Sequence, residues 1–309
     1  MALAMTLTAI SAASGQVADF DWATIGAPGN RPTQPHEVPW QPGLQVGSVP
    51  YEYRITRTEV TVSQYIDFVR AYAPYWEGPP GAIALTGSMI YWRPERGYYI
   101  HAGEENFATN ATWPMAARFC NWLHNGRASD LAAFETGVYD MASGARERLP
   151  GATYWLPTED EWLKAGYYDP DRYGPGEEGY WLYPNRGNDP LIRGLPEDGG
   201  ETNAGLLGAW MPVGQYPNAA SPWGLLDLSG GESEWFETYV DVQGGHFRAY
   251  RGSWNGGTPG DVDDRLDTSG YYSFASSRLG VRLGSTIPTP STAGAAILWA
   301  MLLVKRRGR

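Results

Sequence analysis

The chain has 309 residues, of which 42% are hydrophobic and 18% charged, a composition that excludes a disordered chain. Its net charge of −11 repels phosphate backbones, which excludes nucleic acid as a partner and suits cations better. The one cysteine, Cys120, excludes an intrachain disulfide.

In chain order, the first segment is residues 1–16. An apolar run is followed by Ser11-Ala12-Ala13-Ser14-Gly15, the pattern of a signal peptide with a small-residue cleavage site. No Lys or Arg precedes the apolar run, as in a truncated start. Residues 17–44 are rich in Pro and Gly and read as an extended lead-in. Tyr51 to Ile55 alternate like a strand. A helix follows, opened by a Thr61/Gln64 capping box, with Tyr65, Phe68, Val69 and Tyr72 at helical spacing and Pro74 as its stop. Residues 75–111 read as loops and short strands, Tyr98 to Ile100 among them. Pro114 opens a second helix with Met115, Phe119, Trp122 and Leu123 as its buried stripe, and Asn125-Gly126 ends it. Cys120 lies beside that stripe and reads as a core residue.

Residues 127–150 carry mixed charges and read as a surface insertion. A short third helix starts at Thr158, with Glu161 completing a second capping box. From Tyr167 onward turns and short strands are expected, because the 39 Gly and 24 Pro punctuate the chain closely. With 14 Trp and 20 Tyr, aromatic rings should supply much of the core. The end, residues 286–309, joins Pro288-Thr289-Pro290-Ser291, an uncharged run to Val304 and the basic tip Lys305-Arg306-Arg307-Gly308-Arg309. This tripartite tail resembles the PEP-CTERM sorting signal of bacterial envelope and biofilm proteins, with Thr289 at its acidic position. That resemblance implies export, transient membrane association through the apolar segment, and an exosortase-type processing enzyme as a partner. The localisation expected is the cell envelope or the extracellular space.

Between the ends, separated motifs recur in a fixed order. Glu59-Val60-Thr61 comes first, then Pro114 to Leu123, then Leu156-Pro157-Thr158-Glu159 with Glu161-Trp162. Asn203-Ala204, Pro212-Val213-Gly214, Pro222-Trp223-Gly224-Leu225, Arg251-Gly252-Ser253-Trp254 and Leu279-Gly280-Val281-Arg282 follow. In this order they resemble the formylglycine-generating enzyme, or sulfatase-modifying factor, domain over residues 45–285. The resemblance implies an α+β fold, a loop-rich relative of the C-type lectin fold with few short helices and short antiparallel strands.

The activity best known for that family uses two cysteines that hold copper(I), a soft ion that selects thiolates. They follow the Arg-Gly-Gly-Ser motif, and here Gly256 and Asp261 stand near their positions. With Cys120 in a different motif, no copper is expected. The histidines His36, His101, His124 and His246 are too scattered to suggest an iron site. Ser253 shows no base partner in the sequence.

The family's calcium loop aligns with Asp227 to Trp235. The resemblance implies a structural calcium held by carboxylates of Asp227 and Glu234 and backbone carbonyls of Gly230 and Glu232. Gly231 and Ser233 replace the family's Asn and Trp. Asn203 matches the start of a second calcium site whose following stretch lacks carboxylates. The ligand cleft implied by the family comprises Trp254, Asn255, Tyr271 and Tyr272. The function expected is non-catalytic binding of a peptide or glycan at the cell envelope or biofilm matrix. The alternative is a divergent oxidoreductase or other enzyme in the same cleft. Its candidates are Asp261, Asp263, Asp264 and Asp267, a run that otherwise reads as a solvated loop.

Overall fold

A computed structural model describes residues 20–288, apart from 145, 243–244, 257–259, 269 and 273–277, without the side chains of 242, 246, 261 and 270–272. The expected signal segment and all but the first residues of the sorting tail lie outside the described residues. Among the described residues, no helix is long and apolar enough to cross a membrane.

The elements are short. In the first part of the chain they are β1 (Trp22–Ile25), β2 (Tyr53–Thr56), α1 (Val62–Tyr72), α2 (Ile83–Thr86), β3 (Tyr91–Arg93), β4 (Gly97–Tyr99) and β5 (Asn110–Ala111). Then come α3 (Trp113–His124), α4 (Ala132–Glu135), β6 (Tyr154–Trp155), α5 (Glu159–Tyr167), β7 (Tyr168–Gly174) and β8 (Glu177–Tyr180). The last are β9 (Glu234–Val242), β10 (Gly245–Arg251), α6 (Gly260–Asp263), β11 (Gly270–Tyr272), β12 (Leu279–Gly280) and β13 (Gly284–Ser285). One sheet runs β1-β2-β13-β6 and another β11-β10-β9-β12-β5. The strand β12 pairs parallel to β9 and antiparallel to β5, so the segment 279–285 joins both sheets.

Both expected capping boxes form. Thr61 and Gln64 satisfy each other's backbone at the start of α1, and Thr158 and Glu161 do the same for α5. The stripe of α1 packs on α3, with Tyr65 edge-on to Phe119 at 5.1 Å and Phe68 edge-on to Phe119 at 5.5 Å. Cys120 is fully buried there, and burial pushes its thiol well above the ordinary range.

Two segments differ from the sequence reading. The insertion expected on the surface is partly core: Phe134, Val138 and Tyr139 are fully buried. Asn121 of α3 explains this. Its amide donates to Phe134 O and Tyr139 O at 2.8 Å and accepts from Val138 N and Tyr139 N at 2.8 and 2.7 Å. Every polar atom of the amide is thereby satisfied without water. The lead-in is also integral. β1 pairs along β2, and Ala23, Ile25 and Val38 are buried in the core.

Candidate functional site

After β10 the chain turns sharply through Gly252, at φ 81°, where an added Cβ would sit 3.1 Å from Leu228 O. Each neighbour of this turn is tied down. Arg251 pairs with Glu159 at 2.8 Å, on the first turn of α5. Ser253 Oγ donates to Asp264 Oδ2 at 2.9 Å, and Ser253 N donates to Asp264 Oδ1 at 2.8 Å. Ser229 Oγ also donates to Asp264, and Gly230 N donates to Ser253 O at 3.1 Å. Asn255 N donates to Gly231 O, and Gly205 N donates to Trp254 O at 3.0 Å.

On this fixed loop Trp254 alone points outward. It is 44% exposed, whereas Arg251, Gly252, Ser253 and Asn255 are buried. The 203–210 segment bonded to Trp254 adds Leu207, 87% exposed, and Trp210, 45% exposed. Of the four residues expected to line the cleft, Trp254 is therefore a surface residue. Asn255 is corrected: at 2% exposure it lies beneath the surface, because its backbone is drawn onto Gly231. Tyr271 and Tyr272 lie on β11 beside β10, and their side chains lie outside the described residues.

The aspartate run divides. Asp264 and Asp267 are buried, not solvated. Burial pushes the Asp264 carboxyl up to about 7, against the hydrogen bonds from Ser229 and Ser253. Asp267 pairs with Arg265 at 2.9 Å, and that guanidinium lies 3.7 Å from the centroid of the Trp40 ring. Ser253 thus has an acidic neighbour that the sequence did not reveal, because 11 residues separate them and the run around Asp264 looks uniformly polar.

Beneath Gly230 and Gly231 lies a second polar cluster. Glu234 accepts from Arg282 Nη2 at 2.7 Å and Nε at 2.8 Å, and from Trp162 Nε1 at 2.6 Å, all fully buried. Glu59 accepts from Glu232 N at 2.8 Å, and its carboxyl is held well above the ordinary range by burial, then by Glu234 and Asp227. Asp227 accepts from Gly214 N at 2.7 Å and is pushed by burial up to about 6. Glu232 accepts from Asn110 at 2.8 Å and is pushed by burial up to about 7.

These side chains do not fit the calcium ion implied by the resemblance. The Glu234 carboxylate is engaged by Arg282 and Trp162. Gly231 supplies no side-chain oxygen, and a Cβ there would meet Glu59 Oε2 at 2.7 Å. Asn203 is committed at both ends of its amide, accepting from Gly231 N and donating to Ala209 O. Among the described residues, no group of three or more His, Cys, Asp or Glu side chains is arranged to hold a metal ion. Glu59 and Arg282 are site residues that sequence reasoning missed, although both stand inside the family motifs; Asp264 stood among the aspartate candidates, and what the sequence did not show is its burial against Ser229 and Ser253.

The model of the Sulfatase-modifying factor enzyme 1-like domain matches residues 29–287, and the chain belongs to that family. Its shape is similar to the crystal structure of CarF, with 18% identity and a TM-score of 0.53 over 88% of this chain and 100% of that one. It is similar also to Treponema denticola variable protein 1, with 17% identity and a TM-score of 0.52 over 87% of this chain and 95% of that one. At these identities the likeness is one of fold. It agrees with the loop-rich α+β architecture, related to the C-type lectin fold, that the motifs implied. No curated protein matches the chain.

Proposed function

We propose that this member of the sulfatase-modifying factor family is an exported, non-catalytic binding protein of the cell envelope or biofilm matrix. Its ligand is a peptide or a glycan taken on the face around Trp254. The observation that carries this reading is the contrast within one loop: Trp254 stands out while both neighbours are pinned beneath it. A large ring presented by a backbone already fixed loses little entropy on binding, which favours recognition. Leu207 and Trp210 stand exposed on the segment bonded to Trp254, and exposed large apolar residues brought together in this way are a feature of binding surfaces.

The sequence also bears on chemistry. With one cysteine in the chain, the copper(I)-holding pair of the family cannot form. The contact of Ser253 with Asp264 favours a second reading, an enzyme with a serine activated by a carboxylate. Both groups are at most 1% exposed, however, and a nucleophile needs access to its substrate. The binding reading is therefore the one supported best.

Its test is a screen of peptide and glycan arrays with the full chain, alongside Trp254→Ala. A ligand retained by the wild type and lost by the variant is expected. A ligand held equally by both would remove Trp254 from the site, and turnover of a bound ligand would replace binding with catalysis.

A further inference from the structure

A second feature shares no residue with the Trp254 loop. The β3–β4 hairpin lies against α1, and between them opens a groove of about 320 Å³ lined by Ile66, Arg70, Arg96, Tyr98, Tyr99 and Ile100. That is within the size range of small-ligand sites. Its charge is contrary to that of the molecule: two guanidiniums and no carboxylate line it, in a chain of net charge −11.

The two arginines are held differently. Arg70 sits one turn after Ile66 on α1, donates to Tyr98 O at 3.0 Å and pairs with Asp67 at 3.0 Å. Its charge is partly answered, and it chiefly fastens the hairpin to the helix. Arg96 is exposed at the hairpin turn and lies 4.0 Å from the centroid of the Tyr99 ring. It has no ion pair among the described residues. Stacking fixes the plane of a guanidinium while leaving its N–H edges free, and that fork matches a carboxylate.

We propose that this groove binds a carboxylated sugar, a uronic-acid residue of an acidic polysaccharide. The carboxylate meets the Arg96 fork, and the sugar ring lies over the apolar and aromatic floor made by Ile66, Tyr98 and Ile100. An acidic peptide suits the groove less well. Acidic peptide motifs are read by clusters of arginines, and here Arg70 is already paired with Asp67, so the groove offers one guanidinium fork beside rings. The inference does not depend on Trp254 binding anything.

The test is calorimetric titration of the full chain with a short oligogalacturonate, its methyl-esterified form, and polyglutamate of similar charge. Oligogalacturonate is expected to bind, more weakly as salt rises. Methyl esterification and Arg96→Ala should each weaken binding by about tenfold or more, as loss of a charge-assisted hydrogen bond implies. Arg93→Ala removes the same charge from the hairpin outside the groove and should change affinity by no more than about twofold. Thermal melting of each variant reports its folding. Absence of binding, equal binding of the esterified form, or indifference to Arg96→Ala overturns the proposal. Equally tight binding of polyglutamate overturns the sugar as ligand class.

Discussion

The molecule holds its two halves together by different means. Around α1, α3 and α4 the interior is rings on rings: Phe68 and Tyr72 stack with centroids 5.9 Å apart, and Tyr72 meets Phe134 at 5.2 Å. Around β9, the 227–234 turn and the 251–267 loop, the interior is built of ionisable groups: Glu234 with Arg282, Asp264 with two serines, Glu59 beside Gly231. Apolar packing is non-directional and tolerates imperfect partners. A buried charge tolerates none, because a lone one keeps its whole desolvation cost. The charged half should therefore respond far more steeply to single changes of similar size.

The largest effect is expected from Arg282→Met. The side chain keeps its volume, but Glu234 is left buried beside Glu59 and Asp227 with no cation. Breaking such a pair costs about 3–5 kcal/mol. In a domain of this size that lowers the melting temperature by roughly 10 °C. Arg282 Nη1 also donates to Thr56 O and Nη2 to Leu226 O, both at 2.8 Å, so β2 and the 226 turn lose an anchor together. A fall under about 2 °C would show that the charged half is not what holds this region.

The next effect is a pH dependence of unusual sign. Asp264, Glu232 and Glu237 are raised to about 7, and Asp227 to about 6, in each case chiefly by burial. The native state keeps these protons where the unfolded chain has released them. Native protein thus binds more protons between about pH 4 and pH 7, and stability falls as pH rises through that window. Asp264 alone should contribute on the order of 2–3 kcal/mol to this slope once relaxation is allowed for. Melts at pH 5 and pH 8 should place the wild type higher at pH 5. Asp264→Asn, neutral throughout, should narrow the gap. Glu37 opposes the trend, since against its burial the hydrogen bond from Arg31 and two backbone N–H groups hold its carboxyl below the ordinary range, and that contribution is lost as acid protonates it. A wild type equally stable at both values would mean that water already reaches these carboxylates.

In the aromatic half, Phe68→Leu should cost only about 1 kcal/mol, read as a shift of roughly 2–4 °C in the melting temperature. Phe68 is fully buried among five rings, yet an apolar replacement of similar bulk can repack. A loss equal to that of Arg282→Met would erase the contrast between the halves.

The same division decides what can be read from the sequence. The helices α1, α3 and α5 are legible because apolar spacing and caps are local signals, and the structure forms each within a residue or two of its expected limits. The buried 132–139 stretch is not, because what buries it is Asn121, a single polar residue on another helix. β1 hides in a stretch whose Pro and Gly content looks like a linker. At the candidate site, Trp254 is legible through its motif. The pairing of Asp264 is hidden because its partner Ser229 lies 35 residues away. The Arg282 and Glu234 motifs are both legible, yet their pairing spans 48 residues and has no local signature. Core made of rings announces itself by period, and core made of ion pairs does so only in three dimensions.

Trp254→Ala tests whether the surface ring belongs to either half. Its neighbours are pinned through backbone atoms and through Asp264, none of which the substitution touches. Stability should change by no more than about 0.5 kcal/mol, the usual range for an exposed position. Binding on the array should be lost all the same. A large drop in stability would make the indole part of the packing and leave the binding reading without its anchor.

The smallest effect is expected from calcium on the wild type. A cation at the 227–234 turn would have to displace Arg282 from Glu234 and strip protons from Glu59 and Asp227, so calcium or a chelator should leave the melting temperature within error. The Arg282→Met protein removes the first obstacle but deepens the second, because the Arg282 charge lowers the Glu59 and Asp227 carboxyls. Its buried carboxyls would answer the lost cation by keeping their protons, and no three of them are arranged to hold a metal ion among the described residues. Calcium should then do no more for the variant than for the wild type. Stabilisation of the wild type itself, by several degrees, would mean that Arg282 and a calcium ion can share the cluster, and that its carboxylates are ionised despite their burial.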